Sequence, residues 1–185
     1  NQLFEADLSA RPQLAIQRDI FVFQSVVGCR RGDLYKLTKN NIVNGILEYV
    51  QGKTRNQDPR TVRVPLNDVA KTILERYKDY DKGPLLPFIS EQKYNQAIKE
   101  AFRLAGLDRI VTVINPLTRQ PEQKFLYEVA TTHTARKTFI GNMYKKVKDP
   151  DLVSSVSGHK EGSKAFRRYR EIDDEMKQEL VHLLD

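Results

Sequence analysis

The sequence holds one cysteine, no tryptophan and three histidines that stand well apart. A single thiol, Cys29, excludes an intramolecular disulfide and fits a reducing, cytoplasmic setting. With His133, His159 and His182 in no ligand-like spacing, neither a metal site nor a cofactor is expected. No apolar run approaches the roughly 20 residues that a membrane span needs. Repeats and low-complexity linkers are absent, so residues 1–185 read as one domain.

What is present is ample for a core. Hydrophobic residues make up 39% of the chain, with eight Tyr and eight Phe among them, and 30% of residues are charged. The net charge of +7 is unevenly spread. Between Arg136 and Arg170 there are ten Lys and Arg against three Asp and Glu, while the rest of the chain is balanced. A local excess of this kind suits a polyanion such as nucleic acid; by itself it equally suits a solvated lysine face.

The apolar spacing predicts a mainly α fold carrying a small three-stranded antiparallel sheet, an α+β arrangement. "SARPQLAIQRDIFVFQSVVG" reads as a largely buried helix with Ser9 as its cap, Pro12 in its first turn and Gly28 as its stop. "RGDLYKLT" reads as a short helix. "NIVNGILEYVQGK" and "TVRVPL" read as strands, with a tight turn at Asn44-Gly45 and a looser one in "TRNQDPR". Helices follow from Asn67 and over "SEQKYNQAIKEAFRLAG", the latter stopped near Gly106. "RIVTVIN" and "QKFLYEVAT" can pair as a second hairpin. Thr132 can cap a helix running to Val147, Asp149-Pro150 starts a short helix ending at Gly158, and "DDEMKQELVHLL" is an amphipathic helix with Met176, Leu180, Val181 and Leu184 on its apolar face.

Three stretches can carry chemistry. In "HTARK", His133 and Arg136 are three residues apart and share one face of a helical first turn. Free N–H groups there favour an anion, a guanidinium offers a fork matched to phosphate oxygens, and an imidazole can move a proton near neutral pH. "SGHKEGSKAFRRYRE" brings a second histidine and a tyrosine that follows two arginines. A phenol, with a pKa near 10, attacks only where cations stabilise its phenolate and a neighbour takes its proton. Either pattern alone is as compatible with a surface histidine or a packed tyrosine.

Together with "VGCRRGDL", these stretches resemble the tyrosine recombinases, the phage-integrase family. The family's "TGxRxxEL" is matched with Arg30 as the first arginine and Asp33 at the acidic position, Arg31 being the competing choice. Its "HxLRH" box is matched by "HTARK", giving His133 and Arg136, with Lys137 in place of the last histidine. Its "GHxxxxxTxxY" box is matched by "GHKEGSKAFRRY", giving His159 and Tyr169, one residue further apart than is usual, as though Gly162 were inserted. "QGKTRNQDPRTVRVPL" resembles the hairpin that carries the family's lysine, giving Lys53 with Arg55 as the alternative. The resemblance covers nearly the whole chain.

It implies the tyrosine recombinase catalytic-domain fold, with an amino-terminal DNA-binding domain of the full protein missing from this chain. It also implies site-specific cleavage and rejoining of double-stranded DNA through a 3′-phosphotyrosyl link on Tyr169, in the service of a mobile element. Arg30 and Arg136 would clamp the phosphate, Lys53 would protonate the leaving oxygen, His133 would move the Tyr169 proton, His159 would bind the phosphate, and Asp33 would brace the arginine region. Neither metal nor cofactor enters. The last helix would either close its own core or pack on a neighbouring subunit of a DNA-bound homo-tetramer. Two other readings share part of this pattern: a DNA-binding module without cleavage, and a type IB topoisomerase or telomere resolvase.

Overall fold

The computed structural model describes residues 2–52, 59, 61–147, 149–158 and 181. Its centre is helix α2 (Pro12–Val27), which follows a short helix α1 (Gln2–Glu5). Pro12 starts α2 because its fixed φ suits the first helical position. Arg11, not Ser9, is the cap residue; the Ser9 N–H is taken instead by the Asp7 carboxylate at 2.9 Å, which leaves Ser9 outside the helix.

Helix α2 is buried along most of its length, including the polar residues Gln17, Arg18, Asp19 and Gln24. Buried charge is tolerated only when paired, and here it is. Arg18 meets Asp19 at 2.7 Å and donates to the carbonyls of Phe4 and Ala6, while Asp19 also accepts from Arg76 and from the Tyr77 hydroxyl at 2.9 Å. This network ties the chain's start and the helix bearing Arg76 to α2.

After α3 (Arg31–Leu34), strands β1 (Ile42–Val43), β2 (Ile46–Val50) and β3 (Thr61–Pro65) form an antiparallel sheet in the order β1-β2-β3. Asn44 and Gly45 take φ of 50° and 76° in the tight turn between the first two. Register pairs Leu47 with Val64 and Tyr49 with Val62, and all four are buried. Alternation alone therefore sets which face meets the core.

Helix α4 (Asp68–Arg76) is capped by the Asn67 side chain, which accepts from the Ala70 N–H at 2.9 Å. Helix α5 (Glu91–Leu104) buries Tyr94, Ile98, Ala101 and Phe102. Strands β4 (Ile110–Ile114) and β5 (Pro121–Phe125) then make a separate two-stranded hairpin. The second strand stops earlier than the sequence pattern implies. The Glu128 carboxylate captures the Phe125 N–H at 2.7 Å and turns Leu126–Val129 into a short helix, α6.

Helix α7 (Thr132–Val147) begins one residue earlier than expected. Thr131 rather than Thr132 serves as its cap, with its hydroxyl accepting from the His133 N–H at 3.3 Å and its carbonyl accepting from the Thr134 N–H at 2.9 Å. The Thr132 N–H is drawn to the Asn95 side chain of α5 instead. Helix α8 (Pro150–Ser157) is capped by Asp149 and ends at Gly158. The main core joins α2, α4, α5 and the three-stranded sheet, and a smaller cluster of Phe139, Ile140 and Val153 joins α7 to α8. Among the described residues no helix is long and apolar enough to cross a membrane. Of the final amphipathic segment only Val181 lies within the described residues; it is helical and 60% exposed.

Candidate active site

Gly28 ends α2 with φ of 70°, and a Cβ there would fall inside the Phe139 ring, 2.2 Å from its nearest atom. Only glycine meets both demands. The fit seats α7 directly on the end of α2, and one turn before Phe139 it brings Arg136 against the same junction. Arg136 is 3% exposed. Its Nη1 donates to the Gly28 carbonyl and its Nη2 to the Ser157 carbonyl at 2.8 Å. One planar guanidinium thus joins the segment leading into Arg30 to the segment leading into His159.

Arg30 occupies the cap position of α3 in extended conformation. Its Nη1 is buried and has no hydrogen-bond partner. Arg31 is engaged elsewhere, pairing with Glu91 at 3.0 Å and lying 5.6 Å over the Tyr35 ring. The loop before Arg30 is held by Gln24, whose side-chain amide donates to the Cys29 carbonyl at 3.1 Å. Cys29 itself is buried packing: burial pushes its thiol up to about 12, so it holds its proton at any ordinary pH.

Asp33 is buried, and its Oδ1 accepts from the Gly52 N–H at 2.8 Å. The carboxylate therefore fastens α3 to the start of the β2–β3 turn. Tyr49, on the buried face of β2, has a hydroxyl with no hydrogen-bond partner. Burial raises its pKa, with Cys29 and Asp33 adding to the rise and Arg136 and Arg30 opposing it. This phenol stays protonated beneath the arginines and is no nucleophile.

Gln51 continues the inward alternation of Leu47 and Tyr49 and is 1% exposed. Its Nε2 stands 3.5 Å from the Ser157 carbonyl, and it fills the space a Cβ on Gly158 would need. Gly158 also has φ of 64°. Lys53 and Arg55 on one side, and His159 and Tyr169 on the other, lie outside the described residues, which carry the chain to Gly52 and to Gly158.

His133, in the first turn of α7, is more exposed than Arg136. Burial lowers its pKa first, helped by the nearby charges of Lys137 and Arg136. Its imidazole is therefore kept neutral near neutral pH, ready to accept a proton. The described residues thus gather Arg30, Asp33, Tyr49, Gln51 and Arg136 around the meeting point of α2, β2, α7 and α8. Tyr49 and Gln51, and Gln24 which holds the loop before Arg30, are residues that motif reading misses. The one sequence signal for Gln51 is a polar residue on the apolar phase of a strand. Among the described residues no group of three or more His, Cys, Asp or Glu is arranged to hold a metal ion.

The model of the phage integrase family matches residues 1–176. The chain belongs to the phage integrase family. Solved structures of the family's recombinases share its fold. XerA recombinase aligns with a TM-score of 0.66 at 18% identity, over 98% of this chain and 61% of that one. A lambda integrase dimer bound to a core site aligns at 0.64 and 19% identity, over 94% and 57%. The lambda integrase catalytic core aligns at 0.59 and 19% identity, over 88% of this chain and 89% of that one. No curated protein sequence matches the chain. At these identities the likeness establishes the tyrosine recombinase catalytic-domain fold, of which this chain is a mainly helical example with a three-stranded sheet.

Proposed function

We propose that the chain is the catalytic domain of a site-specific DNA recombinase, acting in the cytoplasm for the integration of a mobile element. Tyr169 attacks a scissile phosphate in double-stranded DNA, its oxygen forming a bond to phosphorus as the bond to the 5′-oxygen breaks. The products are a 3′-phosphotyrosyl link and a 5′-hydroxyl; attack by another strand's 5′-hydroxyl reverses the step on a new partner, so no external energy source is consumed. The carrying observation is Arg136, whose side chain bridges the carbonyls of Gly28 and Ser157, two residues before Arg30 and His159 respectively.

In this reading Arg30 and Arg136 stabilise the nonbridging oxygens, where charge grows in the transition state. Loss of one such donor costs on the order of 3 kcal/mol, about a hundredfold in rate. The unpartnered, buried Nη1 of Arg30, against the ion-paired Arg31, supports Arg30 as the first arginine. Lys53 delivers the proton to the leaving 5′-oxygen, from a turn that Asp33 fastens through Gly52. His133, held neutral, receives the Tyr169 proton, and His159 hydrogen-bonds the phosphate.

A homo-tetramer on DNA fits the same reading. A lambda integrase tetramer bound to a Holliday junction is among the structures with this fold. Val181, on the apolar face read from the sequence of the last segment, is 60% exposed, so its side chain is accessible to a neighbouring subunit.

A duplex nicked near the cleavage site traps the covalent intermediate, because the released strand diffuses away. A protein–DNA adduct with the chain, lost in Tyr169→Phe, is expected. Salt-sensitive binding with no adduct in any substrate points to a DNA-binding module instead. Relaxation of supercoiled DNA without strand exchange between two marked duplexes points to a topoisomerase.

A further inference from the structure

We infer that Gln51 is a positioning residue of the strand-cleavage reaction, acting through the segment that carries His159. The inference rests on the recombinase reading above. Three observations lead to it. Gln51 is a fully buried polar side chain just past the end of β2, in the inward phase of Leu47 and Tyr49, where an apolar residue is the ordinary choice. Its Nε2 faces the Ser157 carbonyl, the same oxygen that accepts from Arg136 Nη2. And its carboxamide occupies the space beside Gly158 that any Cβ would claim, so the backbone entering residue 159 rests directly on it.

The arrangement has two braces with separate duties. Asp33 holds the Gly52 N–H and so governs the turn leading to Lys53. Gln51 directly follows β2 and its side chain meets the end of α8, so it governs the approach to His159. The hydrogen bond at 3.5 Å is long, and most of the hold comes from close packing against Gly158. A displacement of about 1 Å in a reacting group costs up to a hundredfold in rate, so loss of the brace is expected to slow cleavage roughly ten- to a hundredfold.

The test measures single-turnover cleavage of a nicked duplex by the wild-type chain, Gln51→Met, His159→Ala and the double variant, with circular dichroism and DNA affinity measured alongside. Each is run on a phosphodiester and on a 5′-bridging phosphorothiolate, whose sulfur leaves without needing a proton. Gln51→Met should bind DNA as wild type does, cleave both substrates more slowly by a similar factor, and add nothing to the His159→Ala defect. Recovery on the sulfur substrate would show that Gln51 serves the Lys53 turn and overturn the inference. So would wild-type rates in Gln51→Met, or a full additive loss in the double variant. Should Gln51→Met not fold, Gln51→Glu takes its place; if neither folds, Gln51 is a stability residue and the inference fails. Absence of cleavage by the wild-type chain is a different outcome, which removes the recombinase reading itself.

Discussion

The antiparallel pairs β2–β3 and β4–β5 have five paired positions each. In the first, alternate residues are buried, α8 packs against β3, and the side chains of Asp33 and Gln51 tie the strand's end to neighbouring elements. In the second, no residue of either strand is buried, and Ile110, Ile114 and Phe125 are exposed. The backbone hydrogen bonding is alike. What differs is whether tertiary packing fixes the hairpin's position, and an isolated two-stranded ribbon has little stability of its own. A turn that must deliver a proton to within hydrogen-bond reach belongs on the first kind of hairpin.

The largest effect expected from this contrast is on stability. Leu47→Ala removes a fully buried side chain from β2 and should cost about 2–5 kcal/mol, read as a lower denaturant midpoint, with cleavage falling alongside. A cost as small as that of a surface change would mean the sheet is not anchored as described. Next comes Asp33→Ala, which frees the Gly52 turn. Phosphodiester cleavage should slow by roughly tenfold, with most of the loss recovered on a 5′-bridging phosphorothiolate. Failure of the sulfur substrate to restore the rate would disconnect Asp33 from the general acid. In the other hairpin, Ile114→Ala at a 61%-exposed position should shift stability by no more than about 0.5 kcal/mol. A larger loss would reveal packing over β4–β5 and erase the distinction.

The smallest effect concerns pH. The folded pKa of His133 lies below its ordinary value of 6.5, so as pH falls through that value the unfolded chain gains a proton before the folded one. Stability should therefore decline as pH drops below about 6.5 and be fully present above it. His133→Gln should flatten that part of a midpoint-against-pH curve; an unchanged slope assigns the dependence to other groups.

Much of this was legible in the sequence because it rests on local rules. Gly28 and Gly158 announce helix ends, Asn44-Gly45 announces a turn, and the alternation around Leu47 and Val62 announces paired strands. The misplacements also have local causes that only three dimensions resolve. Thr132 reads as a cap until Asn95 draws its N–H away and Thr131 takes the cap position, and Phe125 to Val129 reads as strand until Glu128 folds back on it. For the site, spacing pointed to Arg30 and Arg136 through the family's motifs. It could not point to Gln24 or Gln51, because a glutamine becomes a brace only through what lies opposite it, here the carbonyls of Cys29 and Ser157. Lys53, His159 and Tyr169 stand as motif assignments outside the described residues, which reach Gly52 before Lys53 and Gly158 before His159.

The most direct measurement replaces the scissile phosphate with a methylphosphonate, in which a methyl group takes the place of one charged nonbridging oxygen. If Arg30 and Arg136 serve the charge on one phosphorus, then Arg30→Ala and Arg136→Ala, each slowed about a hundredfold on the natural phosphate, should lose far less on the neutral one. An undiminished penalty in either variant on the methylphosphonate would contradict the convergence of both guanidinium groups on a single phosphate.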